Sequence, residues 1–432
     1  MSGNPQVPAP RAGTAPHGAC VLLKHGEIFL KGRNRHLFTE RLHDNLRIAL
    51  RGIGGSTWIK TAQNVTVVGG QVPQDALVER ARRVIGFNSV EPALRVPSTL
   101  EEITRTAVAE LRAAGAERPG LGFAVRARRR DKQFPLTSSQ VAGHLGAEVL
   151  RAVPGLRVDL TRPEVTLSVE IDRKETYLSW RRHRGLTGLP VGSSGRALAL
   201  LSGGYDSPVA AHRAMRRGLH CDFVHFSGAP YTNPASVYKA YALARELNRY
   251  QPPGRLHVIA LGKAQKQLAV AGAGRLQVVA QRRLMVRTAS ALAARTGAEA
   301  LVTGDSLGQV ASQTLANLAA VDEAAALPVL RPLIGWEKQE IIDEAGRVGT
   351  AEISVLPDED CCRLLAPPRA STRAGLPQLR AVERRLDLDE VTAALLESAR
   401  VMLPGADPDA DPGPDNPGPE ATAPGCPAPA PA

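Results

Sequence analysis

Aromatic residues are scarce in this chain: phenylalanine, tryptophan and tyrosine together make up 4% of its 432 residues. That scarcity argues against recognition of single-stranded nucleic acid by stacking bases on rings. Cysteine is scarce too, with five residues, an odd number, and no C-x-x-C pair. A disulfide framework and a structural zinc site are both disfavoured, so any cysteine chemistry would be that of a thiol. No apolar run approaches the length of a membrane span, and the first residues lack a signal-peptide core. The expected location is therefore the cytoplasm, with no membrane partner. Two nucleotide signatures are missing: G-x-G-x-x-G occurs nowhere, and no Walker lysine follows the one glycine-rich strand end.

Charge is present but unevenly placed. The formal net charge is +12, and the whole excess lies in residues 1–195, which hold 29 Lys and Arg against 17 Asp and Glu. Residues 196–432 hold 25 of each. Arginine richness alone would reflect a GC-rich genome, but its distribution suggests a polyanion-binding module joined to something neutral.

The chain reads as successive segments. Residues 1–18 are a Pro/Gly/Ala-rich lead-in, expected to be disordered. Over 19–75, "CVLLKHGEIFL" predicts a strand and turn, "RHLFTERLHDNLRIALRGIG" a helix, and "TWIKTAQNVTVVGG" two further strands, together a small α+β unit of ferredoxin-like type. Over 76–183, helices are expected at "PQDALVERARRVIG", at "TLEEITRTAVAELRAAG" behind Ser98 or Thr99 as N-cap, and at "SSQVAGHLGAEVLRAV". Strands are expected at "LGFAVRARRR" and as a pair in "EVTLSVEIDRKETYLSWRR". A Gly/Ser linker covers 184–195. From 196 to 403 near-continuous apolar strands alternate with helices five times, the pattern of a doubly wound parallel sheet. Residues 404–432 are an acidic Pro/Gly tail, expected to be disordered.

The first strand of that sheet runs into "SGGYDS", residues 202–207. Ligands of an open parallel sheet bind beyond the carboxyl ends of its strands. There Gly203 and Gly204 let backbone approach an anion, and the hydroxyls of Ser202 and Ser207 can add hydrogen bonds. A carboxylate does not bind phosphate, so Asp206 fits a magnesium ion or an orienting role. The plainer reading is a tight turn with a capping residue.

"SGGYDS" resembles the pyrophosphate-binding loop of PP-loop ATP pyrophosphatases. With "HFSGAPYT", "RRLMVRTA", "VTGDSLGQVASQTL", "VLRPLIGWEKQEII", "DEDCCRLL" and the opening "KHGEIFLKGRNRHLF", the chain is similar over about residues 20–400 to the tRNA 4-thiouridine synthase (tRNA uracil 4-sulfurtransferase) family. The segment around "FAVRARRRDKQFP" looks like that family's THUMP RNA-binding domain. The resemblance implies an α/β chain of N-terminal ferredoxin-like and THUMP domains followed by a PP-loop domain, using ATP and Mg2+.

It also implies adenylation of a tRNA uridine at position 8, with pyrophosphate release, followed by displacement of AMP by a persulfide sulfur. The donor would be a cysteine desulfurase or another persulfide source, and a homodimer is left open. Leu200, Leu201, His225, Phe226, Arg282, Gly304 and Gln313 would complete the nucleotide site. Cys361 would be the catalytic thiol, with Cys362 beside it. Like-charge repulsion from Asp358, Glu359 and Asp360 would raise a thiol pKa, so activation is expected from a cation such as Lys338. Many members carry a C-terminal rhodanese domain; here a tail with Cys426 stands in its place, as in the family's shorter branch. That weakens the family's link to sulfur supply for thiamine thiazole. For RNA, the candidate cations are Arg126, Arg128, Arg129, Arg130 and Lys132, with Lys24, Lys31, Arg33 and Arg35. Strand alternation predicts Arg126, Arg128 and Arg130 on one face. Two rival readings remain: another PP-loop adenylating ligase acting on RNA, which would need no cysteine, and a non-catalytic RNA-binding protein.

Overall fold

The computed structural model describes residues 18–62, 65–117, 120–359, 361 and 364–405. The lead-in up to residue 17, the tail from 406, Asp360 and Cys362 lie outside the described residues. The chain divides into two compact units, one of residues 1–39 and 46–187, the other of residues 40–45 and 188–432. No helix among the described residues is long and apolar enough to cross a membrane.

The first unit is built on one sheet. Its strands are β1 (Ala19–His25), β2 (Thr57–Ala62), β3 (Val65–Gly70), β4 (Phe87–Pro97), β5 (Gly122–Arg129), β6 (Arg157–Val158), β7 (Val165–Ile171), β8 (Glu175–Ser179) and β9 (His183–Arg184). They lie in the order β2-β3-β1-β4-β8-β7-β5-β6, with β9 paired to β4. Helices α2 (Gln74–Ala81), α3 (Leu100–Glu117) and α4 (Ser138–Ala152) lie wholly in this unit, whereas α1 (Arg35–Ala49) has its residues 40–45 assigned to the second unit. Thr99, not Ser98, accepts from the backbone of Glu102 at the start of α3, while the Ser98 hydroxyl donates to the Asp172 carbonyl. Thr137 and Gln140 form a reciprocal capping box on α4. Ile103 and Leu111 of α3 and Val141, Leu145 and Val149 of α4 cover Phe123, Leu167 and Val169 of the sheet.

The long strand β4 is absent from the sequence reading, because Pro92 interrupts its pattern. Ser89 and Val90 pair with β9, and Ala93 onwards pairs with β8. Pro92 falls in the gap between these two ladders, where its missing N–H leaves no bond unmade on that side.

The second unit carries β10 (Arg196–Leu200), β11 (His220–Ser227), β12 (Leu256–Ala260), β13 (Ala300–Val302), β14 (Val329–Leu330) and β15 (Arg400–Met402). The order is β14-β13-β10-β11-β12-β15. The five expected strands pair in parallel, and β15 adds an antiparallel edge on β12 that the sequence reading lacks. Helices α5 (Asp206–Arg216), α6 (Ala235–Leu247), α7 (Gly262–Val270), α8 (Gln277–Thr296), α9 (Leu315–Asp322), α10 (Lys338–Val348), α11 (Ala351–Ser354), α12 (Leu376–Glu383) and α13 (Leu388–Glu397) complete it. Gly297 (φ 73°) and Gly349 (φ 86°) end α8 and α10 in the left-handed conformation that glycine adopts without a Cβ clash. The chain leaves β10 for β11 on one side, and β13 later returns to its other side. This reversal makes the carboxyl end of β10 the topological switch point of the sheet.

Candidate active site at the rim of the parallel sheet

The six residues after β10 and Leu201 form a self-bonded loop at that switch point. The Ser207 hydroxyl accepts from the Ser202 backbone N–H at 2.8 Å and lies 3.0 Å from the Ser202 hydroxyl. The Ser202 hydroxyl in turn accepts from the Gly204 N–H at 3.3 Å. Asp206 begins α5, where a negative side chain complements the helix dipole. One of its oxygens accepts from Lys338 at 2.7 Å and the other from Gln309 at 3.1 Å. Lys338, expected beside the thiol, therefore pairs with the carboxylate of the glycine loop, and its ammonium also lies 5.6 Å from the Tyr205 ring.

A cavity opens against this loop, lined by Leu200, Leu201, Ser202, Gly203, Val224, His225, Phe226, Ser236, Met285, Asp358 and Cys361. Seven of the expected site residues share it. His225 is buried and fixed on both sides, by the Leu201 carbonyl at 2.9 Å and the Ser236 hydroxyl at 3.2 Å. It braces the end of β10 from inside. Cys361 is 7% exposed and packs in the apolar cluster beneath the rim. Its carbonyl accepts from the buried side chain of Gln265 at 2.7 Å.

Arg282, Gly304 and Gln313 do not line the cavity. They belong to an adjoining cluster centred on Asp305, which the sequence reading did not single out although it stands within "VTGDS". Asp305 is 3% exposed and accepts from Arg282, from Gln313 at 3.2 Å, from Thr303 at 2.9 Å and from Arg331 at 3.1 Å. Burial by itself would raise its carboxyl, but the Arg282 guanidinium, the Thr303 hydroxyl and Arg331 outweigh it and hold the group below its ordinary value. Arg282 is thus not a solvated helix arginine, and Gln313 is not a loose surface amide. Gly304 joins the two clusters by close approach: a Cβ there would meet the Ser207 backbone nitrogen at 2.6 Å.

The cations proposed for RNA divide in the first unit. Arg126, Arg128 and Lys132 are exposed, as is Arg33. Arg126 donates to the Leu160 carbonyl at 2.8 Å and Arg129 to the Phe134 carbonyl at 3.1 Å. Lys31 sits 5.1 Å over the Phe38 ring, and Arg35 opens α1. Arg130, however, lies past the end of β5 with its side chain 9% exposed, and its guanidinium is taken by Glu170. Lys24 is engaged with the same Glu170 at 2.9 Å and with Glu91 at 3.0 Å. Burial works to raise the Glu170 carboxyl, but Lys24 and Arg130 hold it below its ordinary value. The three-residue face predicted for Arg126, Arg128 and Arg130 is therefore reduced to Arg126 and Arg128. β5 ends before Arg130, and the buried acid on β7 claims it.

The comparisons follow this division. Residues 192–388 match the family described as thiamine biosynthesis protein (ThiI), residues 97–181 the THUMP domain, and residues 20–90 the ThiI ferredoxin-like domain. A probable tRNA sulfurtransferase of Nocardia farcinica is 58% identical over 392 residues, covering 90% of this chain and 95% of the relative. One of the same description from Moorella thermoacetica is 41% identical over 393 residues, covering 90% and 98%. Among solved structures, a 4-thiouridine synthetase in complex with RNA and bound ATP superposes with a TM-score of 0.81 at 31% identity, over 89% of this chain and 99% of that one. With this likeness running through both units and across the glycine loop, the chain belongs to the tRNA sulfurtransferase family.

Proposed function

We propose that this protein transfers sulfur to uridine 8 of tRNA in two steps driven by ATP, giving 4-thiouridine. The observation that carries the reading is that the glycine loop and Cys361 line one cavity at the switch point of the sheet. ATP binds there, with adenosine against Leu200, Leu201 and Phe226 and the phosphates on the loop from Ser202 to Ser207. Magnesium is commonly held by one or two carboxylates together with phosphates, so it would accompany the nucleotide and supply charge neutralisation there. Asp206 is the carboxylate that would hold it. No group of three or more His, Cys, Asp or Glu among the described residues could bind a metal alone.

In the first step the uridine O4 takes the α-phosphate and pyrophosphate leaves. Lys338 and the loop N–H groups face the charge that develops on the departing phosphates. In the second step the terminal sulfur of a persulfide on Cys361 forms a bond to C4 as the bond to O4 breaks and AMP departs. A second thiol then cleaves the S–S bond, leaving a disulfide for a reductant. Cys362 is the neighbouring thiol in sequence. The persulfide is supplied by a cysteine desulfurase or similar donor. The exposed arginines of the first unit hold tRNA by its phosphates and shape, consistent with the scarcity of stacking rings.

A single-turnover assay tests this, with ATP, magnesium, unmodified tRNA and a persulfide-generating desulfurase. Cys361→Ser is expected to release pyrophosphate normally and form no thiouridine. If Cys361→Ser still made thiouridine, the assignment of the sulfur step would be wrong. A wild type that released no pyrophosphate with tRNA would favour a protein that only binds RNA.

A further inference from the structure

We infer that Lys239 is a phosphate ligand of the nucleotide site, held in reserve by Asp358. The inference rests on the reading of the glycine loop as the site of the ATP phosphates. That loop has backbone donors but no lysine of its own, and Lys338 approaches it at its later residues, Tyr205 and Asp206.

Lys239 comes from α6 and is 7% exposed, which for a lysine requires partners. Its ammonium donates to the Leu356 carbonyl at 2.5 Å and to Asp358 at 3.1 Å. Both side chains press on the loop. A Cβ built on Gly203 would stand 3.0 Å from Cδ of Lys239 and 2.2 Å from Oδ2 of Asp358. Asp358 also lines the cavity that Ser202 and Gly203 line. A carboxylate thus lies against a turn whose backbone donors suit an anion, with a buried ammonium beside it.

A triphosphate carries more negative charge than one carboxylate, and it repels the carboxylate that stands in its place. As the phosphates settle on the loop they take the Lys239 ammonium, and Asp358 withdraws. Asp358 and Cys361 belong to one short segment. Its other ties include the Glu359 carboxylate, which accepts from the Asn233 N–H at 2.8 Å. Asp358 and Cys361 also line the same cavity, so withdrawal of Asp358 opens that cavity towards Cys361.

The test is calorimetric titration of the full chain with ATP, with inorganic pyrophosphate and with adenosine, in magnesium buffer. Lys239→Met is expected to weaken ATP and pyrophosphate at least tenfold and to leave adenosine unchanged. Asp358→Asn is expected to tighten ATP. The double variant, Lys239→Met with Asp358→Asn, leaves no lone buried charge, so it guards against a simple folding defect. It is expected to bind ATP as weakly as Lys239→Met does. Recovery of wild-type ATP affinity in the double variant would overturn the inference, as would unchanged pyrophosphate binding by Lys239→Met. Alkylation of Cys361, followed by peptide mass mapping, is expected to quicken with ATP and to be quick without it in Asp358→Asn. An alkylation rate indifferent to both would count against the coupling. A wild type that binds neither ATP nor pyrophosphate would overturn the nucleotide site itself and this inference with it.

Discussion

Gly304 offers the sharpest test of how the strand rim positions the glycine loop. An alanine there would place its Cβ 2.6 Å from the Ser207 nitrogen, 2.7 Å from the Asp206 carbonyl carbon and 2.8 Å from the Ser207 Cα. All three are backbone atoms, so no flexible side chain can swing aside. An ordinary carbon contact is about 3.5 Å, so the first turn of α5 would have to retreat by roughly 0.8 Å. That turn carries both the Asp206 carboxylate on Lys338 and the Ser207 hydroxyl that closes the loop onto Ser202. Overpacking of this kind costs about 1–3 kcal/mol of stability. A misplacement near 1 Å costs on the order of 100-fold in rate. The expected outcome for Gly304→Ala is a modest fall in the urea midpoint and a fall of about 100-fold in tRNA-stimulated pyrophosphate release. Wild-type release together with an unchanged midpoint would refute the argument that close approach of Gly304, just past β13, to α5 sets the loop.

Three further outcomes follow from groups away from the loop. Burial first, then the cations Arg216 and Arg213, pushes the His212 imidazole down to about 3 from its ordinary 6.5. The folded chain keeps the ring neutral while the unfolded chain takes up a proton, so stability is lost as pH falls from 6.5 towards 3. The loss runs at up to ~1.4 kcal/mol per pH unit. Both ring nitrogens lack hydrogen-bond partners, and the ring packs edge-on to Tyr250 at 4.9 Å. His212→Phe should therefore flatten the acid limb of stability measured by urea unfolding between pH 5 and 8; an undiminished slope would sink this account. In the first unit, Arg128→Ala should weaken tRNA binding and lower its salt slope by about 1 with no change in melting. Arg130→Met should instead destabilise the unit by about 1–3 kcal/mol, because it takes one partner from buried Glu170 and leaves it Lys24. Equal effects of the two on melting would remove the distinction between exposed and internal cations.

Much of this architecture was legible because local pattern and tertiary role agree. The strands around Leu198, Phe223 and Ile259 are apolar on both faces because helices cover both sides of the parallel sheet. "SGGYDS" stands out because glycines and hydroxyls fall in one short run at a strand end, and the same run closes on itself through Ser202, Gly204 and Ser207. β4 was hidden because its proline looks like a break until the two ladders on either side of it are known. Asp305 stands within "VTGDS", yet its weight comes from Arg282, Gln313 and Arg331, which only folding gathers around it. Lys239 reads as one more helix lysine, because its partner lies 119 residues further along the chain.

The sequence by itself determined the order of the segments, the alternation that builds the second sheet, the glycine loop at its first strand end and the thiol that follows it. These are short-range properties, set by side-chain period and by what a turn of a few residues can do. Tertiary structure alone decided how those parts are connected. It placed Cys361 in the cavity of the glycine loop, turned Lys338 to Asp206, and withdrew Arg130 and Lys24 into a charge network. Those outcomes depend on which distant groups share a desolvated space, and a charge is spent on the nearest buried counter-charge wherever the chain brings one.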